Sequence, residues 1–198
     1  MLERHIILFL GWLLCYAIHS LIAGQKLQLR LGLGQRTYRL IYNLIALLSF
    51  SIIVFYGVVI DTALLFQPTQ LTFYLGLMLA TFGIFIIKRA FRAYSTLKFL
   101  GLKKEVQNEP ELMTNGIQSY VRHPLYSGTL LIFIGYALFN PTLASATTLL
   151  ALVVYLPFGI QSEEKKLAKT FGEAYLDYKN VTPTLIPNLF KKRSHENE

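Results

Sequence analysis

Two pairs of polar residues flank one long apolar stretch: Arg122 and His123 just before it, Glu163 and Glu164 just after it. A guanidinium is a permanent fork of N–H donors, an imidazole donates or accepts at either ring nitrogen, and an ionised carboxylate only accepts. Gathered in one place, these groups would hold a small molecule bearing both signs of charge, and His123 or a glutamate would be within reach of a proton. They lie far apart in the chain, so the fold must bring them together.

The apolar stretch is the element that does so. It runs from the RHPLYSG block (Arg122 to Gly128) to Ile160, about twice the ~20 residues of one bilayer crossing, and Asn140 and Pro141 interrupt it near the middle. That pattern predicts a hairpin of two helices, which returns to the side it left. The arginine, the histidine and the paired glutamates are therefore expected at one membrane face.

Of the whole chain, 54% is hydrophobic and 15% charged, with a mean hydropathy of +0.45. The apolar runs His5 to Ala23, Tyr38 to Ile60, Leu71 to Ile87, Leu125 to Phe139 and Thr142 to Ile160 predict an all-α polytopic membrane bundle of five crossings. One integral membrane domain over residues 1–198 is expected, with a polar tail after Gln161. The basic residues agree with this count. Eighteen of the nineteen lysines and arginines fall on one side of it and only Arg4 on the other, so that side is expected to be cytoplasmic, with the amino terminus outside. The first run is expected to remain as a crossing, since removing it as a leader would scramble the alternation.

The net charge of +8 borders apolar spans and carries no nucleic-acid-binding pattern; it suits anionic lipid headgroups or an anionic ligand, with no nucleic-acid partner. Cys15, the only cysteine, excludes an intrachain disulfide and a thiolate metal cluster, and no metal is expected. Beyond the hairpin, Leu167, Phe171, Tyr175 and Tyr178 recur at spacings of four, four and three, predicting one amphipathic helix on the membrane surface or against the bundle. It should end before Pro183, and Pro187 then keeps the chain extended towards Lys191, Lys192 and Arg193.

The block LMTNGIQSYVRHPLYSG (Leu112 to Gly128), followed by EEKKLAKTFGEAYLDYKNVTPTLIP (Glu163 to Pro187), resembles the signature of the isoprenylcysteine carboxyl methyltransferase family and its phospholipid N-methyltransferase relatives. HSLIAGQK (His19 to Lys26) and YRLIYNLIAL (Tyr38 to Leu47) are similar to the NnrU-type and methanethiol S-methyltransferase branches of that superfamily. Where many members read GPY before the arginine, this chain has Gly116, Ile117 and Gln118, a departure that bears on the acceptor contacts.

The resemblance implies a membrane enzyme that takes a methyl group from S-adenosylmethionine and passes it to a lipophilic or small thiol, carboxylate or amine acceptor. Glu163 and Glu164 would then meet the cofactor's cations, with Tyr120, His123, Pro124, Tyr126 and Gly128 completing its binding site and Arg122 and Glu164 carrying catalysis. Pro124 suits the first turn of a helix whose free amides attract anions, and Gly128 permits close approach. Adjacent carboxylates on a helix project about 100° apart, so one of the pair is expected to touch the cofactor; Glu164 is the choice.

Each residue also has a plainer reading. Arg122 can snorkel at an interface, the two glutamates beside Lys165 and Lys166 can be a solvated helix face, and the Tyr175 and Tyr178 stripe can be packing. His19 and Ser20 stand evenly between structure and acceptor binding. Two other classes stay open: a non-catalytic transport or assembly protein of the NnrU type, and a reductase resembling the membrane sterol reductases. The residues do not select the acceptor or the oligomeric state.

Overall fold

The structure, a computed structural model, describes residues 2–22, 25–93 and 111–188. Among them are seven α-helices: α1 (Leu2–Ile22), α2 (Gln25–Leu31), α3 (Gln35–Val59), α4 (Gln70–Ala93), α5 (Pro124–Phe139), α6 (Leu143–Phe171) and α7 (Glu173–Val181). A single 3-10 turn, Gly116–Ser119, precedes α5. The five expected crossings correspond to α1, α3, α4, α5 and α6. Four of these are long and apolar enough to span a bilayer, and α5, with 16 residues, is shorter. Lys98, Lys103, Lys104 and the basic end Lys191, Lys192 and Arg193 lie outside the described residues.

Trp12, Leu8 and Cys15 of α1 form the core with Ile53 of α3 and Ala144 and Ala151 of α6. The Trp12 indole donates to Thr148 at 3.1 Å, so the one polar atom of the largest core side chain is satisfied inside the bundle. Large apolar side chains such as Leu48, Phe55, Met78 and Phe85 remain exposed on α3 and α4. That surface is suited to lipid rather than water.

Helices α4 and α5 meet along glycines. A Cβ on Gly83 would lie 2.5 Å from the Gly128 carbonyl, and one on Gly76 would lie 2.6 Å from that of Gly135. The seven-residue spacing on both helices puts two such contacts on one antiparallel seam, and missing side chains let the backbones touch.

The break at Asn140 and Pro141 is the predicted hairpin turn. Thr142 caps α6 in a reciprocal box with Ser145, which satisfies amides that would otherwise be orphaned in an apolar setting. The α3–α4 loop ties this end together: Leu143 N donates to Ala63 O at 2.9 Å and Leu65 N to Pro141 O at 2.8 Å.

The segment from Lys26 to Arg36 contains most of the short helix α2. One expectation is corrected. The tail is not one amphipathic helix: α6 continues without a break past Ile160 to Phe171, and α7 is separate. Gly172 divides them at φ +56°, a left-handed conformation that glycine adopts without cost and that ends the i to i−4 ladder. Leu167 and Phe171 thus belong to the end of α6, while Tyr175 and Tyr178 of α7 are buried.

Candidate functional site

The α5/α6 hairpin brings the two polar clusters together. The His123 backbone precedes α5, Pro124 takes its first turn, and Glu163 and Glu164 stand on the part of α6 that projects beyond a 20-residue crossing.

Arg122 is held at every donor. Its Nε and Nη2 donate to Glu164 Oε1 at 3.0 and 2.7 Å. Nη2 also donates to Thr184 Oγ1 at 2.9 Å, and Nη1 donates to the carbonyls of Lys179, at 3.0 Å, and Thr182. Five N–H groups thus make five internal hydrogen bonds to four acceptor atoms. Glu164 accepts in addition from Lys179 Nζ at 2.7 Å and faces His123 Nε2 at 3.3 Å. Burial pushes its carboxyl up, but the hydrogen bonds from Lys179, Arg122 and His123 outweigh that and hold its pKa down at about 2.

The segment after α7 straps this clamp in place. Arg122 N donates to Pro183 O at 2.8 Å, His123 N to Thr184 O at 3.1 Å, and Ser127 Oγ to Leu185 O at 2.6 Å. Tyr175 lies buried against the clamp; burial first, then the Glu164 charge, pushes its hydroxyl up to about 12. The Tyr178 hydroxyl donates to the Gln118 carbonyl at 2.6 Å. Lys179, Thr182 and Thr184 are not singled out by the sequence; the tyrosine spacing marks α7, and Pro183 and Pro187 mark an extended segment without showing what it contacts.

Beside the clamp opens a cavity of about 400 Å³. Its lining includes Gln118, His123, Glu163 and Lys166 together with His19, Ser20, Tyr42 and Tyr155. Tyr126 and Thr129 line the α5 wall. His123 Nδ1 lies 3.5 Å from Glu163 Oε2, whose side chain is 47% exposed. The Lys166 ammonium makes no bond to another described side chain. Near α1, the Tyr42 hydroxyl sits 3.0 Å from the His19 ring nitrogens and Ser20 Oγ lies 2.5 Å from Tyr155 OH.

The structure therefore gathers Arg122, His123, Pro124, Tyr126 and Glu163 at the cavity. Glu164 stands behind them, saturated by its three partners. Tyr120 is 57% exposed and away from the cavity wall. Gly128 makes its close approach to the backbone of α4 rather than to the cavity.

Comparison with known proteins places this geometry in context. The family model described as NnrU protein matches residues 7–189. The chain is 31% identical over 118 residues to methanethiol S-methyltransferase 2 of Bradyrhizobium diazoefficiens, covering 59% of this chain and 41% of that protein. It is 34% identical over 117 residues to the protein-S-isoprenylcysteine O-methyltransferase of Mus musculus, covering 57% and 40%. The cobalt-zinc-cadmium resistance protein CzcN of Cupriavidus metallidurans is 34% identical over 116 residues, covering 58% and 47%. The chain thus spans less than half the length of these curated relatives. No solved structure is a significant match.

Proposed function

The chain belongs to the NnrU family, and we propose that this member is an integral membrane methyltransferase using S-adenosylmethionine. The observation that carries the reading is the meeting of the Arg122–His123 and Glu163–Glu164 pairs beside one cavity at one end of the bundle. The methyltransferase names of the relatives support it. The cytosol is the proposed source of the cofactor, because the basic residues gather at this end.

The cavity suits such a molecule in size and chemistry. Its volume of about 400 Å³ lies within the ~300–1,000 Å³ of small-molecule sites. Glu163, half-exposed into the cavity, is the carboxylate for the ammonium, and Lys166, with no bond to another described side chain, is the cation for the carboxylate. The rings of Tyr42, Tyr126 and Tyr155 line the same space and suit a sulfonium. When bound, the cofactor supplies an electrophilic methyl group.

The protein's part is to orient the reactants and keep water out. Arg122 and Glu164 do this at one remove: their mutual bonds fix the strap, the start of α5 and the His123 ring. His19, Ser20 and Tyr42 stand where a lipophilic or small thiol, carboxylate or amine acceptor would meet the methyl group, and they supply the donors and acceptors that would orient it. A carboxylate acceptor needs no base. For a thiol or amine, the His19 imidazole at this end is the group placed to take the proton.

The test is calorimetry of the purified chain with S-adenosylhomocysteine, together with membranes incubated with methyl-labelled cofactor and separated into lipid, protein and volatile fractions. Saturable binding and label in one fraction are expected. No binding to the folded wild type would overturn the reading.

A further inference from the structure

The crossings pack as two pairs, α1 with α3 and α4 with α5, and α6 touches a member of each. Between the pairs lies a second cavity of about 260 Å³, lined by Trp12 of α1, by α3 and α5 residues that include Ile53 and Phe133, and by Ala144 and Thr148 of α6. Ala144 and Thr148 stand in the first turns of α6, so this cavity is at the end of the bundle away from the Arg122 clamp. It shares no lining residue with the cavity beside the clamp.

Its walls are apolar and their polar atoms are already engaged. The Trp12 indole donates to Thr148 Oγ1 at 3.1 Å, the Tyr136 hydroxyl accepts from Asn140 Nδ2 at 3.3 Å, and none of the described lining residues is charged. Such a space gives water little to bond to. Left empty, it deprives its lining of dispersion contacts.

The cavity is continuous with the lipid-facing surface. Phe50, Val54 and Val58 of α3 line it and are exposed, Val58 at 69%, more than a side chain facing only inward would show. At the depth of a membrane crossing, what meets such a surface is hydrocarbon. A volume of about 260 Å³ falls below the ~300–1,000 Å³ of sites for drug-sized ligands, which suits a slender flexible chain better than a fused-ring molecule.

We propose that this cavity binds one acyl chain of a bilayer lipid, which enters past Val54 and Val58 and packs between α3 and α5 beside Trp12. Apolar contact alone holds the chain, and the headgroup stays outside. The site is independent of the methyltransferase reading.

Trp12 is the only tryptophan of the chain, so its fluorescence reports on this cavity without interference. The full chain is reconstituted in phosphatidylcholine vesicles, either unmodified or brominated midway along the acyl chains; bromine quenches an indole only at close range. Trp12 is 2% exposed, yet its emission is expected to fall about twofold or more in the brominated vesicles, as contact between chain and ring requires. Gly57→Leu and Val54→Phe add carbon atoms at the cavity wall. Each is expected to take the chain's place, and recovery of most of the emission in either, at an unchanged emission wavelength, supports the site. No quenching in wild type would overturn the proposal whatever the variants do. Quenching undiminished in both variants would overturn it too, since bromines would then reach Trp12 from the surrounding bilayer.

Discussion

Replacing Glu164 with alanine removes the shared acceptor of Arg122, His123 and Lys179. Arg122 is 9% exposed at its side chain and Glu164 11%, so the guanidinium would stay largely out of water with two of its five donors unpaired. Breaking a buried pair by deleting one partner costs about 3–5 kcal/mol. At roughly 2–4 °C per kcal/mol for a chain of this size, the unfolding temperature of Glu164→Ala should fall by on the order of 10 °C, followed by intrinsic fluorescence in detergent. Glu163→Ala is the control on the same helix. Its side chain is 47% exposed and meets His123 at 3.5 Å and the Tyr126 hydroxyl, so its loss should cost no more than about 1.5 kcal/mol, well below that of Glu164→Ala. Its affinity for S-adenosylhomocysteine should instead fall roughly ten- to a hundredfold, the loss of one charge-assisted hydrogen bond worth about 1.5–3 kcal/mol. The two adjacent glutamates are thus expected to separate cleanly, one in stability and one in binding. Equal unfolding temperatures for wild type and Glu164→Ala, or a Glu163→Ala variant as unstable as Glu164→Ala, would refute the division of labour.

Two further outcomes follow from the same geometry. The Glu164 pKa is held down at about 2 from 4.5; its contribution to stability is therefore complete above about pH 4.5 and is lost as pH falls towards 2, so thermal unfolding from pH 6 to pH 3 should decline more steeply in wild type than in Glu164→Gln. In Gly128→Ala, the new Cβ would lie 2.7 Å from the Gly83 carbonyl; α4 and α5 must separate, at a cost of about 1–3 kcal/mol read by thermal unfolding.

Much of the architecture was legible because a bilayer imposes simple rules. Apolar runs, the Asn140–Pro141 break and the alternation of basic residues predict five crossings and a returning hairpin, and each run became a helix. The tail misled for a local reason. Its four-four-three spacing is a property of residue order, whereas Gly172 at φ +56° divides the stripe between two helices.

The candidate site divides in the same way. Hydropathy and the hairpin break, read from the sequence, point to Arg122, His123, Glu163 and Glu164 sharing one end of the bundle, since chain length and membrane thickness leave a hairpin no other return. Which glutamate faces the cavity was decided only in three dimensions, because the Lys179 ammonium and the strap carbonyls that commit Arg122 and Glu164 come from residues far along the chain. The same is true of Gly128: sequence marks it as a place of close approach, but only the packing of α4 against α5 determines what approaches. Gln118 shows the limit most clearly, since a glutamine in a polar loop looks unremarkable until burial leaves its amide without a partner among the described residues.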